Sequence, residues 1–236
     1  MMEWSEDVIP AERAGTLHGL FMERVRRTPD TLAYRGFNRD TKDWEDTTWG
    51  QMAAEVSRWQ QALEAEDLEP GERVAVLLRN CEEWVAFDQA ALACGLVLVP
   101  LYTDDRPDSI AYILKDAAVR VLLVQDLGRW KRLAPALQGL DQLQRVLVLT
   151  DPEGGRLPDG ADERLRLVSQ WKAAQARPMV LREGDGNQLA SIVYTSGTTG
   201  RPKGVMLSHQ NMLTVAHASL GVLDCYQQDV FLSFLP

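Results

Sequence analysis

Between Tyr194 and Val205 the chain reads Tyr-Thr-Ser-Gly-Thr-Thr-Gly-Arg-Pro-Lys-Gly-Val. Gly197, Gly200 and Gly204 stand among the hydroxyl residues Thr195, Ser196, Thr198 and Thr199, beside the cations Arg201 and Lys203 and without an acid. Glycines permit a tight turn, a close approach to a ligand and inward-facing N–H groups. The hydroxyls add donors, and Lys203 supplies a mobile point charge. Together these residues describe a cradle for phosphate. The surroundings agree, because residues 187–223 contain no Asp or Glu, although 34 acids in 236 residues would place about five there. The segment is therefore locally basic on a chain of net charge −9, as a polyanion site requires.

Other phosphate motifs fail on spacing. A Walker A loop needs a second glycine five positions after the first, but that position holds Pro202 counted from Gly197 and Val205 counted from Gly200. Gly184-Asp185-Gly186 lacks the third glycine of a dinucleotide fingerprint and precedes a strand pattern instead of following one. A nucleophile elbow around Ser196 would need glycine where Tyr194 stands.

The elements that must position this segment alternate between helical and strand periods, the signature of an α/β fold with a mostly parallel sheet. A helix is expected over 17–27 and a strand over 31–36. Thr48 and Gln51 form a capping box ahead of a helix whose apolar face is Met52, Val56, Trp59 and Leu63. After Gly71, residues 73–78 form an apolar run suited to a strand buried on both faces. Asn80, with Glu83 three residues on, is the expected N-cap of a helix that runs to Cys94 and stops at Gly95. A strand over 96–99 and a helix opened by Asp105 and Pro107 follow, the latter with Ile110, Ile113, Leu114 and Ala117 as its stripe. Strands over 119–124 and 146–149 flank a helical stretch containing Leu133 and Leu137. Residues 151–160 read as a surface loop, and a strand over 189–194 leads into the glycine-rich segment.

Composition excludes several classes. With 25 basic against 34 acidic residues the chain is no bare nucleic-acid binder. Cys81, Cys94 and Cys225 show neither disulfide nor zinc spacing and read as inert core residues. No secretory h-region opens the chain, and the longest apolar run, residues 90–102, is too short to span a bilayer, so a cytoplasmic location is expected. His209 is expected at a helix start or in packing, and His18 and His217 in packing. Trp49, Trp59 and Trp84 fall on predicted helices, where core packing is the default.

The string YTSGTTGRPKGVMLSH resembles the signature loop of the adenylate-forming (AMP-binding) superfamily. The segments WGQMAAEVSRWQQAL, GERVAVLLRNCEEWVAFDQAALACGLVLVPLY and DSIAYILKDA are similar to upstream blocks of that superfamily, and DVFLSFLP to the start of the next one. LFMERVRRTPDTLAYRG and FLSFLP look most like bacterial long-chain fatty acyl-CoA synthetases. The resemblance implies the N-terminal part of an acyl-CoA synthetase-like fold. Residues 67–222 would form a first αβ subdomain including the loop 194–205, and residues 14–66 and 223–236 parts of an incomplete second.

The implied activity is ATP-dependent activation of a fatty acid to an acyl-adenylate, then to acyl-CoA, with Mg²⁺ as cofactor and coenzyme A as co-substrate. Alternatives are an acyl-AMP ligase, a carrier-loading adenylation domain or a non-catalytic nucleotide-binding fragment. By position, Thr195, Ser196, Gly197, Thr198, Thr199 and Gly200 would wrap the β- and γ-phosphates, Lys203 would neutralise them as the catalytic cation, and the Thr195 hydroxyl would ligate Mg²⁺. The family's adenine, ribose and C-terminal catalytic groups would lie beyond Pro236, so residues 1–236 alone are expected to be inactive. Residues 231–236 read as a buried strand. The partners expected are small molecules, without nucleic acid or a transmembrane segment; a fatty substrate makes peripheral membrane contact an open alternative.

Overall fold

The computed structural model describes residues 8–38, 41–180, 184–195, 201–220, 222–223 and 229–233. Helices α1 (Ala11–Ala14) and α2 (Leu17–Arg27) open the chain, and β1 (Leu32–Asn38) pairs with β2 (Asp43–Thr48) as an antiparallel hairpin. Then come α3 (Trp49–Glu64), β3 (Arg73–Leu77), α4 (Glu82–Ala93), β4 (Val97–Pro100), α5 (Pro107–Asp116) and β5 (Val119–Val124). Helix α6 (Leu127–Leu133) continues into a 3₁₀ turn, Ala134–Leu137, before β6 (Arg145–Val148), β7 (Leu165–Leu167) and α7 (Val168–Trp171). The chain then reaches β8 (Leu189–Thr195), β9 (Lys203–Ser208) and α8 (His209–Leu220).

Seven strands form one sheet in the order β7-β6-β5-β3-β4-β8-β9. Every pairing is parallel except β8 with β9. This is the expected α/β class with a parallel-dominated sheet. The chain winds outward from β3 in both directions, to β4 on one side and β5 on the other, so its crossover helices must cover opposite faces. Strand β3 shows the result. Ala75 and Leu77 point into the core shared with α5 and α6, while Val74 and Val76 point into the core shared with α2, α3 and α4. In β5 the alternation slips, because Arg73 pairs with Val119 and Val74 with Val121. Arg120 is the extra residue of a bulge. Val119 and Leu122 thereby reach one face together.

Helix termini follow local chemistry. The Thr48 hydroxyl accepts from Gln51 N–H, and the Gln51 side chain accepts from Thr48 N–H, the predicted capping box. Met52, Val56, Trp59 and Leu63 are all buried below it. Helix α4 departs from expectation. Its N-cap is Cys81, without a side-chain bond, and the first turn relies on Glu82 and Glu83 against the helix dipole. Asn80 instead donates from Nδ2 to Ser233 Oγ at 3.1 Å. At the other end Gly95 has φ of +73°, its N–H bonds Leu92 O and the Leu96 N–H bonds Ala91 O. That reciprocal pair is a Schellman stop, which needs a residue tolerant of positive φ.

Three strands were not expected. Strand β2 is charged and mostly exposed, stabilised across the hairpin by the Arg35–Asp46 ion pair and the Phe37–Trp44 edge contact. Strands β7 and β9 are the two edges of the large sheet. Conversely, residues 231–233 are exposed and without strand structure, which corrects that part of the buried strand expected over 231–236; residues 234–236 lie outside the described residues.

Between α7 and β8 an irregular strap runs along α3. Ser57 Oγ bonds both the N–H and the carbonyl of Arg177, Gln60 donates to Val180 O and Gln61 to Gln175 O. Arg177 pairs with Glu64 and Lys172 with Glu55. Trp171 meets Trp59 edge-on and donates its indole N–H to Glu66. The strap carries the chain from the β7 edge back to the opposite side of the sheet.

Candidate functional site

Strand β8 joins the sheet beside β4, where Leu98 pairs with Ser191 and the Ser191 hydroxyl donates to Leu98 O at 3.0 Å. Because β8 runs parallel to β4, it ends at the carboxyl end of the parallel strands, where open α/β sheets bind their ligands. Thr195 ends β8 and Lys203 begins β9, and the antiparallel register places these two residues directly opposite each other. Both are exposed. The sequence-predicted hydroxyl and ammonium therefore share one end of one hairpin. Ser196, Gly197, Thr198, Thr199 and Gly200, the rest of the predicted cradle, lie outside the described residues.

The stems of this hairpin are held from one side. Tyr194 is buried, and its hydroxyl donates to Asp116 Oδ2 at 2.6 Å. Burial and the adjacent carboxylate raise the Tyr194 pKa above its usual value. On the opposite stem the Arg201 guanidinium sits 5.5 Å from the centroid of the Tyr112 ring. Neither Tyr112 nor Asp116 was singled out from the sequence. The available signal was their i, i+4 spacing beside the apolar stripe of α5.

Gly204 has a packing reason. It pairs with Tyr194, and a Cβ at this position would lie 2.8 Å from Ile192 Cγ2 and 3.1 Å from Tyr194 Cζ. Only glycine lets the Tyr194 ring lean across β9.

Helix α8 follows directly. The Ser208 hydroxyl accepts from Asn211 N–H, and the Asn211 side chain accepts from Ser208 N–H, so each caps the other's backbone. His209, the first residue of α8, is buried and accepts from Leu17 N–H at Nδ1 at 3.2 Å. Its expected helix-start and packing role is what the structure shows. Burial lowers its pKa. His18 is also buried, and burial above all pushes its imidazole down to about 4. His217 lies in the last turn of α8, half-buried.

Thr16, His18, Gly71, Gly95, Gln188 and His209 line a cavity of about 520 Å³. Gly71, Gly95 and Gln188 precede β3, β4 and β8, so this cavity opens at the amino end of the sheet, away from Thr195 and Lys203. Cys94 is buried, and burial pushes the half-buried Cys81 thiol up to about 12, which makes it unreactive; Cys225 lies outside the described residues.

Among the described residues no group of three or more His, Cys, Asp or Glu side chains could hold a metal. Among the described residues of the hairpin the exposed hydroxyl is that of Thr195, an oxygen donor of the kind that suits a Mg²⁺ carried by phosphates and water. Among the described residues no helix is long and apolar enough to cross a membrane.

The family model described as AMP-binding enzyme matches residues 21–236. The human long-chain-fatty-acid–CoA ligase ACSBG1 is 28% identical over 227 residues, covering 94% of this chain and 31% of the human protein. Fatty acyl-CoA synthetase A of Dictyostelium discoideum is 28% identical over 233 residues, covering 96% of this chain and 35% of its own. The chain thus spans about a third of the length of these relatives. Among solved structures, a Mycobacterium tuberculosis fatty acyl CoA synthetase matches with a TM-score of 0.69 at 23% identity, covering 92% of this chain and 39% of that one.

Proposed function

This chain belongs to the AMP-binding enzyme family, and from that premise we propose that its β8–β9 hairpin holds the phosphates of ATP while a long-chain fatty acid is activated. In the first step a carboxylate oxygen attacks the α-phosphorus and the bond to the β-phosphate oxygen breaks. The products are acyl-adenylate and pyrophosphate. In the second, the thiolate of coenzyme A attacks the acyl carbonyl and AMP leaves.

The observation that carries the reading is the direct pairing of Thr195 with Lys203 at the carboxyl end of the sheet, in a stretch without acids. Phosphoryl chemistry asks the protein chiefly for position and charge stabilisation. Lys203 answers the second need, neutralising charge that builds on the departing pyrophosphate. Ser196, Gly197, Thr198, Thr199 and Gly200 would contribute hydroxyls and backbone N–H groups to the same phosphates. Mg²⁺ bound with the nucleotide would supply further neutralisation, with the Thr195 hydroxyl as the ligand from this chain. The fatty acid and coenzyme A are supported by the relatives, the human one named for a long-chain fatty acid and CoA and the Dictyostelium one for fatty acyl-CoA.

The test is pyrophosphate release in single turnover by the enzyme that contains this chain. Lys203→Ala should slow release by about 10²-fold, the scale of losing one charge-stabilising group. An unchanged rate would overturn the assignment.

A further inference from the structure

We propose that Tyr112 and Asp116 of α5 form a clasp that sets the two stems of the hairpin, and so act as positioning residues for nucleotide phosphates. This rests on the function proposed above. The two residues are one helical turn apart and therefore lie on one face of α5. Each takes a different stem. Asp116 accepts from the Tyr194 hydroxyl on β8, and the Tyr112 ring lies under Arg201, two residues before β9 begins.

The need for such a clasp follows from the sheet order. Among the described residues β9 is an edge strand with β8 as its one neighbour, and its first four residues are exposed. Among these residues nothing in the sheet beyond β8 fixes where the β9 stem sits. Helix α5 is itself firmly placed, because Ile110, Ile113 and Leu114 are buried in the core at 0–2% exposure. It can therefore serve as a fixed reference for the stems. The contacts also differ in kind. One is a hydrogen bond that needs the tyrosine oxygen; the other is a cation over a ring face that does not.

That difference makes the test sharp, because the same substitution has opposite outcomes at the two tyrosines. Backbone amide exchange is measured over residues 201–205 of the chain without nucleotide. Tyr194→Phe should speed exchange there, as should Tyr112→Leu, whereas Tyr112→Phe keeps the ring and should leave exchange unchanged. Asp116→Ala, at an exposed position, repeats the Tyr194→Phe arm without disturbing the core.

In pyrophosphate release the damaging variants should raise the KM for ATP about fivefold with kcat changed less than twofold, whereas Lys203→Ala lowers kcat. Unchanged exchange and KM in Tyr112→Leu and Tyr194→Phe, with Lys203→Ala impaired, would overturn the clasp and leave the phosphate role standing. A silent Lys203→Ala would overturn the phosphate role, while the nucleotide-free exchange measurement still decides the clasp. Equal damage from Phe and Leu at position 112 would also overturn the clasp as described.

Discussion

The inner strands β3, β5 and β6 and the outer hairpin β8–β9 belong to one sheet but are held by different physics. Along β3 four of five residues are buried, along β5 five of six, and along β9 none, with its first four exposed. The inner strands are fixed by packing on both faces, through Leu77, Leu122 and Val146 on one and Val76, Leu123 and Leu147 on the other. The hairpin is fixed by register, one glycine and the two contacts to α5. The candidate site thus sits where the core contributes least. Stability and site geometry should then respond to different substitutions.

The largest expected effect tests the inner side. Trp59 is fully buried, meeting Phe87 and Trp171 edge-on. Trp59→Ala should cost about 3–5 kcal/mol in urea unfolding. Below the unfolding transition, the fast-exchanging amides of 203–205 should keep their pattern; a change there as large as in β3 would dissolve the distinction between the regions.

Next comes His18. Its imidazole titrates near 4 when folded against 6.5 unfolded, so the unfolded chain binds more protons between those values. Stability is therefore full above about pH 6.5 and falls as pH drops toward 4, by about 3 kcal/mol at most. Urea titrations at pH 7 and 4.5 check this, and His18→Gln should flatten the slope.

A smaller effect is expected at Gly204. The methyl of Gly204→Ala presses on Ile192 and Tyr194, at an overpacking cost of about 1–3 kcal/mol. The comparison predicts that most of this appears as faster amide exchange in β9 and little as a lower melting temperature. A large fall in melting temperature with an undisturbed β9 would break it. The smallest effect is at Thr48, where loss of the cap in Thr48→Ala should cost about 1 kcal/mol and leave the hairpin unaffected, as amide exchange would show.

The same contrast explains what could be read from the sequence. Strands β3 to β6 announce themselves as apolar runs, because burial on both faces demands apolar residues in succession. The capping box of α3 and the stop at Gly95 are local chemistry and were equally legible. The edges were not. Strand β2 carries Asp43, Glu45 and Asp46 and exists through its pairing with β1, and β9 is recognisable only once β8 lies beside it. At α4 an ordinary N-cap residue, Asn80, was passed over because its side chain reaches Ser233 instead.

In the candidate site, residue types and spacing marked Thr195 and Lys203, but their mutual pairing is a matter of register that spacing does not state. Tyr112 and Asp116 were invisible for a related reason. They lie beside the apolar stripe of α5, where Tyr112 also packs against the core, and only the return of the chain at β8 gives the Tyr112 ring and the Asp116 carboxylate a stem to hold.

That return is late in the sequence, which bears on the order of assembly to be expected. Ser191 meets Leu98 across 93 positions, and Ser57 meets Arg177 across 120. Closing such long loops is the slow part of folding, because chain entropy is lost before the contacts that repay it exist. The strap on α3 divides the problem. Once residues 172–180 have docked along a helix already formed, only a short tether separates them from β8, and the search for the slot beside β4 becomes local. The β8–β9 hairpin is then expected to be laid down late, on a scaffold whose inner strands are already packed.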